Sequence, residues 1–575
     1  MNYLARIARY VASAGVLFMS AHADAARSGK ELLQYIPEQT PYVVAFTKPL
    51  PDELMDKFEP SMDKMLAAYQ RMMRYRMSEH LIQLSAQEDG AERAERLQGF
   101  MDELFGFMSI KGLRDAGIGR DSLFAVYSDG IFPIVRIGLT DVEKFDAAIA
   151  RLESRSDEKF EVGELEDKPY RYRDFDDIRV VISTFSKDAV ITVIPVAGMS
   201  DERLAKTLGI KKPGKNLARS KLLADIRKQY DFTDHFLSFI DIERIAETFT
   251  GDRGSLVEDF PALADTDFEN TPPECSAEIA ELASVAPRIV MGYTGVDSDF
   301  LDTGMVVELR EDIASGLATF PAAVPGLGVD LGGLFSFGFS IDMMAARSFY
   351  EARLDALEAD PFECEHFADI NAMTVKGRET LAKPLPPVVY SFRGMLANIT
   401  GIEGLDLATD QPPESIDASI LVAIENAQDL VAMAAMMSPE VAALNLLPDG
   451  KAKALELPQL AAIAERAFAA LSQNGLSIAM GDAAADEAEA MLSADVSSSL
   501  PFMSFSMDAK KYYEFVGSAM MEADDDEDGE PMPEAMRTAM KDVMVSSGEL
   551  YERMAVDVHL TDRGIEMSSR MTLAD

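Results

Sequence analysis

The sequence predicts an α+β protein of two duplicated lobes, each a mostly antiparallel or mixed sheet with helices packed on it. A strand-like run, Phe236–Asp241, is followed by a helical pattern from Ile242 to Phe249. The same unit returns at Phe502–Met507, again with a helical pattern behind it. The length of 575 residues also exceeds what one hydrophobic core normally organises. Similarity between the two halves of a chain is the sign of an internal repeat.

Residues 1–25 have the pattern of a signal peptide. Arg6 and Arg9 supply positive charge, and an apolar run follows over residues 11–19. Ala21-His22-Ala23 and Ala23-Asp24-Ala25 then offer small-residue cleavage sites. The apolar run is too short for a permanent membrane helix, and no later stretch predicts a transmembrane segment. We therefore expect a periplasmic or secreted protein.

The formal net charge of −44 limits the partners of this chain. Such a surface repels the phosphates of nucleic acids and disfavours anionic membrane faces. The sequence therefore predicts no nucleic-acid partner and a strongly solvated surface.

Cys275 and Cys364 are the only cysteines of the chain. An even number of cysteines in an exported protein favours pairing, because the compartment is oxidising. The alternative is two unpaired buried thiols. We expect a disulfide between the two residues.

The first lobe is predicted over residues 26–315. It opens with the strand Tyr42–Phe46 and a methionine-rich amphipathic helix from about Ser61. Strands predominate from Leu123 onward, and several of them alternate polar and apolar residues, which is typical of antiparallel strands. The lobe ends in a hairpin of Arg288–Tyr293 and Gly304–Leu309.

A Gly/Pro linker over residues 316–333 leads to the second lobe, residues 334–575. A helix is predicted over Leu460–Leu471. The strand Leu476–Met480 then aligns with Val190–Ile194 of the first lobe. A final hairpin of Met554–Leu560 and Gly564–Thr572 matches the hairpin that ends the first lobe, and this match is the best support for duplication.

Four features carry a resemblance to a known family: the signal peptide, the Tyr42–Phe46 strand, the Phe132–Asp141 unit and the Phe236–Asp241 unit. With them the chain resembles an uncharacterised family of exported bacterial proteins, domain of unknown function 3352. The resemblance covers most of the chain after residue 25. It implies an exported α+β protein. It implies nothing about chemistry, because the family carries no catalytic motif.

Recognisable catalytic motifs are absent from the sequence. His80, His235, His366 and His559 follow the signal peptide, and no two of them stand at a metal-ligand spacing. Ser61-x-x-Lys64 has the nucleophile spacing of penicillin-recognising enzymes, but the S-D-N and K-T-G elements are missing. Ser61 is therefore predicted to be the N-cap of a helix.

One stretch resembles a metal site. Asp524, Asp526 and Asp528 precede Gly529 with the alternation of a calcium-binding loop. The twelfth position is Ala535, where a bidentate Glu is expected, so the pattern is only half complete. The alternative is a solvated acidic loop without calcium.

A methionine stripe follows this acidic loop. Its members recur at i+4 spacing on a predicted helix: Met532, Met536, Met540 and Met544. Flexible thioethers suit adaptable binding of apolar partners, whereas a buried core face is the more common origin of such a stripe. The sequence leaves both interpretations open.

These observations favour a non-enzymatic function. We expect a binding, scaffold or chaperone-like envelope protein whose partner is a protein or an apolar ligand. The alternative is a hydrolase-type enzyme with an unrecognised carboxylate-based site. Carboxylates with raised pKa values in one pocket would favour the enzyme, and an open apolar groove with methionines would favour binding.

Overall fold

The computed structural model describes residues 28–85, 90–130, 132–156, 159–175, 178–196, 199–250, 272–404, 413–455, 466–522 and 533–574. The fold is mixed α+β with large antiparallel sheets, as the composition of predicted elements indicated. The contacts divide the chain into two compact units. The first unit comprises Met1–Ala283, Arg288–Asp299 and Pro533–Ser546, and the second comprises Ser284–Pro287, Phe300–Met532 and Ser547–Asp575. The lobe boundaries over residues 316–333 stay a prediction.

The elements between residues 28 and 299 alternate between helices and antiparallel strands. The helices are α1 (Gly29–Leu33), α2 (Asp52–Ser85), α3 (Gly90–Gly106), α4 (Ile110–Asp115), α5 (Val142–Ser156), α6 (Asp201–Leu208), α7 (Leu222–Tyr230), α8 (Ile242–Thr250) and α9 (Pro273–Val285). The strands are β1 (Tyr42–Phe46), β2 (Phe124–Asp129), β3 (Phe132–Gly138), β4 (Glu161–Leu165), β5 (Lys168–Phe175), β6 (Ile178–Phe185), β7 (Asp188–Pro195), β8 (Phe236–Asp241) and β9 (Arg288–Val296).

The sheet of the first unit has the strand order β9-β8-β1-β2-β3-β7-β6-β5-β4. The predicted strand Phe236–Asp241 is β8, and it lies between β1 and β9. Helices pack on both faces of this sheet. Phe145 and Ile149 of α5 bury apolar surface on one face, and Leu204 and Leu208 of α6 bury it on the other.

A buried ion pair lies in this sheet. The guanidinium of Arg136 on β3 donates through Nη1 to Asp188 Oδ2 on β7 at 3.1 Å, and both side chains are almost fully buried. Arg136 Nε also donates to the hydroxyl of Tyr127 at 3.4 Å, and its guanidinium lies 4.2 Å from the ring centroid of Tyr35. Gly209 makes this burial sterically feasible, because a Cβ there would lie only 2.5 Å from Arg136 Nη2.

The second unit has the same alternation of elements. Its helices are α10 (Glu311–Leu317), α11 (Met343–Ala359), α12 (Ala368–Leu381), α13 (Pro387–Ser391), α14 (Ala427–Met437), α15 (Pro439–Leu444), α16 (Ala484–Ser493), α17 (Ala509–Glu522) and the end of α18 (Glu534–Leu550). Its strands are β10 (Phe300–Glu308), β11 (Phe335–Ser340), β12 (Phe392–Glu403), β13 (Ser415–Ile424), β14 (Lys453–Ala454), β15 (Ala467–Leu471), β16 (Gly475–Met480), β17 (Met503–Asp508), β18 (Tyr551–Thr561) and β19 (Gly564–Leu573).

The sheet of the second unit has the strand order β10-β19-β18-β17-β11-β12-β13-β16-β15-β14. One face of it is closed. Val324 and Leu327, from the predicted linker, pack against Leu396 and Leu421 of the sheet together with Met491 of α16. The Gly/Pro stretch therefore contributes to a hydrophobic core.

Two local predictions were wrong. The last five residues of the predicted helix Leu460–Leu471 form a strand, β15 (Ala467–Leu471). The reason is that residues 472–475 form a tight turn, after which the chain returns and β16 pairs with β15. Residues 456–465 are outside the described residues. Ser61 is not an N-cap, since α2 begins nine residues earlier, at Asp52, and Ser61 is buried inside it.

Cys275 and Cys364 form a disulfide, as predicted from their number and the expected compartment. Among the helices of the described ranges, none combines the length and the apolar character that crossing a bilayer requires.

Candidate functional site

The second face of the second unit's sheet carries a broad apolar surface. Side chains that are paired across antiparallel strands lie side by side on one face. The register places nine such residues in one central row: Thr303, Ser569, Val556, Phe505, Phe337, Ala397, Ile420, Ile478 and Ala469.

A parallel row flanks the central row on each side. The first flanking row is Met305, Met567, Val558, Met503, Phe339, Met395, Val422, Leu476 and Leu471. The second is Leu301, Met571, Met554, Met507, Phe335, Ile399, Ala418, Met480 and Ala467. We call these three rows the methionine-rich face. They hold eight methionines and no charged residue.

The local sequence explains why this face differs from its reverse. Strand β11 reads Phe-Ser-Phe-Gly-Phe-Ser, so its three phenylalanines point to one face and its small residues to the other. Strand β17 alternates in the same way, with Ser504 and Ser506 on the reverse face. Small residues let the covering segments approach the closed face, where the Ser336 and Ser506 hydroxyls lie 2.8 Å apart. The large apolar residues are thereby placed together on the methionine-rich face.

The centre of the methionine-rich face is accessible to solvent. Phe337 and Ile420 retain 36% and 37% of their exposure although both lie on interior strands of the sheet. At one end, Leu430 and Val431 of α14 and Val422 of β13 pack against the same buried cluster, which includes Leu471. At the other end, Tyr512 of α17 stacks on Phe335, with ring centroids 6.3 Å apart. An exposed aromatic ring inside an apolar surface of this size is typical of a binding surface.

Helix α14 adds exposed methionines at one end of this face. Met436 and Met437 are 87% and 84% exposed, and Met433 lies one turn earlier and is also exposed. Residues 430–439 contain no charged side chain. The helix that packs on the face through Leu430 and Val431 therefore presents flexible thioethers to solvent on another side.

The predicted methionine stripe lies on α18. Met536 is buried, at 9% exposure, and Met540 and Met544 are partly buried. Met532 is outside the described residues. The neighbouring Asp542 forms an ion pair with Arg71 of α2, so this part of α18 lies against the long helix of the first unit. The three described members do not form a strongly exposed surface.

The predicted calcium ligands Asp524, Asp526 and Asp528 are outside the described residues. Within the ranges that the structure describes, no group of three or more His, Cys, Asp or Glu side chains has an arrangement that could hold a metal ion. The calcium site stays a prediction.

One carboxylate has an unusual environment. Oε2 of Glu487 on α16 is buried and has no hydrogen-bond partner among the described residues. Burial, followed by the charge of the nearby Asp417, raises the pKa of Glu487 above its ordinary value of 4.5. Asp417 fits beside it because residue 481 is glycine: a Cβ there would lie 2.0 Å from Asp417 Oδ1.

Sequence reasoning placed its candidate apolar site on α18, which stays a prediction, and did not find the methionine-rich face. The methionines of this face, of which Met507 is buried, are scattered over β10, β12 and β16–β19, at most two to each strand. The available signal was the alternation of large apolar residues with Ser or Gly in β11, β16 and β17. Only the strand register brings these residues into three continuous rows.

No protein-family model matches this chain, and no curated protein matches it. The resemblance to domain of unknown function 3352 therefore stays a prediction from the sequence.

Proposed function

We propose that this chain is an exported, non-enzymatic binding protein that holds an apolar ligand on the methionine-rich face. The observation that carries the proposal is the exposure of Phe337 and Ile420 at the centre of an uncharged, three-row apolar surface. Apolar surface left in water is costly, and flexible thioethers accommodate ligands of varied shape.

A long acyl chain fits this face better than an extended peptide does. From β17 to β16 the central row crosses four strand spacings, or about 19 Å. The strands there are paired on both sides, so their backbone groups are already used in the sheet. A peptide would bring unpaired N–H and C=O groups onto a surface without partners for them, whereas an acyl chain brings none.

Binding of a fluorescent long-chain fatty acid tests this proposal. Phe337→Gln should weaken binding about 20-fold. The exposed third of a phenylalanine side chain is about 70 Å², and burying that area contributes about 1.8 kcal/mol. Ile420→Gln should act in the same direction. Thermal unfolding of each variant should stay close to that of the parent, since both side chains are already partly solvated.

Ile240→Gln is the matched control, because Ile240 has a similar exposure of 39% on strand β8 of the first unit. It should leave binding unchanged. Equal affinity in the Phe337, Ile420 and Ile240 variants would overturn the proposal. Binding of an uncharged apolar peptide with higher affinity than the fatty acid would favour the chaperone-like function instead.

Internal duplication and export complete this proposal. Seven strands of the first unit have counterparts at the same sheet positions in the second unit. In chain order, the counterparts of β1, β2, β3, β6, β7, β8 and β9 are β11, β12, β13, β15, β16, β17 and β18, respectively. The same order in both units supports descent from one duplicated lobe. The predicted signal peptide supports a periplasmic or secreted location, and the same features support membership of domain of unknown function 3352.

A hydrolase-type enzyme is the second candidate, and Glu487 favours it. Among the described carboxylates, its pKa is the one for which a rise is resolved. A raised pKa next to a second carboxylate is an arrangement that general acid–base catalysis uses. If the protein hydrolyses ester substrates and Glu487→Gln abolishes that activity, this function is established. If the parent protein does not raise the rate of ester hydrolysis above that of buffer alone, the enzyme candidate is removed.

A further inference from the structure

A basic segment interrupts this strongly acidic chain. Residues 211–228 contain seven Lys or Arg residues and one acidic residue, Asp225, although the whole chain has a net charge of −44. The segment leads into α7, whose N-cap is Lys221 and whose last turn contains Lys228, two turns or about 10 Å further on. It also runs beside α1 and the residues after it, because the amides of Leu217 and Ala218 donate to the carbonyls of Ile36 and Leu33.

Six exposed cations form what we call the basic patch. They come from this segment and from α1: Lys30, Lys212, Lys215, Arg219, Lys221 and Lys228. In the described part of the chain none of the six forms an ion pair. Lys211, at the start of the same segment, is by contrast neutralised by Glu166, and the preceding Lys206 by Glu202. Lys212 donates to the side-chain oxygen of Gln34 and lies 5.0 Å from the ring centroid of Tyr35, but neither group neutralises its charge. Cations without an acidic partner are the groups that an anionic ligand would neutralise.

The basic patch lacks the anchors of a protein–protein interface. Between Phe175 and Ile240, the described residues expose no large apolar side chain. Protein interfaces are centred on buried aromatic and Arg side chains, whereas five of these six cations are lysines. Lysine is a hydrated point charge that suits a diffuse array of phosphates. We propose that the basic patch docks this protein on an anionic lipid surface.

The net charge of the chain does not prevent this contact. The Debye length at physiological ionic strength is about 8 Å, so acidic groups farther than that from the membrane are largely screened. Clusters of four to eight Lys or Arg side chains bind anionic lipids through additive contributions of each cation. The expectation of general repulsion from membranes therefore does not extend to this side of the first unit.

Co-sedimentation of the purified full chain with vesicles tests the proposal. The chain should bind vesicles of 30% phosphatidylglycerol in phosphatidylcholine at low salt, and pure phosphatidylcholine only weakly. Raising the salt to 0.5 M should release it. We expect the partition coefficient to fall about a hundredfold in the triple variant Lys215→Gln, Lys221→Gln and Lys228→Gln. Each lysine contributes about 1 kcal/mol to membrane binding, and each 1.4 kcal/mol corresponds to about a tenfold change in the partition coefficient.

The charge-matched control replaces Lys376, Lys383 and Lys510, which are exposed lysines of the second unit, with Gln. It should bind as the parent does. Equal loss in both triple variants, binding that salt does not change, or no binding to anionic vesicles would overturn the proposal. The parent protein could instead self-associate and bind no vesicles, with only the Lys215, Lys221 and Lys228 variant losing self-association. That outcome would assign the patch to contact with a second copy of this chain. Phe337→Gln separates the two proposals, since it should weaken fatty-acid binding and leave vesicle docking unchanged.

Discussion

Replacing Arg136 with methionine should destabilise the first unit by about 3–5 kcal/mol. The guanidinium and the Asp188 carboxylate are almost fully buried and 3.1 Å apart. Removing the cation leaves a carboxylate charge inside the sheet without its ionic partner, and breaking a buried pair from one side typically costs this amount. Methionine keeps much of the side-chain volume, so the loss of packing adds little to the expected value.

Urea unfolding of a double-mutant cycle measures this effect. Asp188→Asn removes the charge that Arg136→Met leaves behind, so the double variant should be more stable than Arg136→Met alone. A cost below about 1 kcal/mol for Arg136→Met would refute this reasoning. A double variant whose cost equals the sum of the two single costs would refute it as well, because the two side chains would then act independently.

Three further predictions concern the second unit and the disulfide. The pKa of Glu487 is raised, so the folded state binds the proton of this carboxyl more tightly than the unfolded state does. The stabilisation from this proton is complete below the ordinary pKa of 4.5. It is lost as the pH rises through the pKa of the folded state. Glu487→Gln should therefore raise the melting temperature at pH 7 more than at pH 4, and an equal shift at both would contradict this. Gly481→Ala should lower the free energy of unfolding by about 1–3 kcal/mol in chemical denaturation, because φ at residue 481 is +114° and the new Cβ would meet Asp417. A variant as stable as the parent would show that the site relaxes. Replacing Cys275 and Cys364 with serine should lower stability by about 4–5 kcal/mol, because the bond closes a loop of about 90 residues, and no change under oxidising conditions would argue against the bond.

Local periodicity predicted much of the fold. Phe236–Asp241 was found as a strand because apolar residues dominate a short run that ends at a helix start. The hairpin of β18 and β19 was found because a short turn separates two long β-rich runs. Both features depend on residues that are close in sequence.

Features that depend on distant residues were missed. Leu460–Leu471 has a helical composition, and the pairing of β15 with β16 overrides it. The methionine-rich face needs the register of nine strands drawn from residues 301 to 571. The unpaired state of Lys215 and Lys221 likewise depends on which carboxylates the fold brings near them, and charge counts along the sequence do not show this.

Photo-crosslinking with a diazirine-labelled long-chain fatty acid tests the central claim most directly. After irradiation and proteolysis, mass spectrometry should find the label on the peptides of β11 and β13, which carry Phe337 and Ile420 at the centre of the methionine-rich face. Unlabelled fatty acid should compete with this labelling. Label confined to α18, or spread over both units without competition, would contradict the assignment of the apolar site to this face.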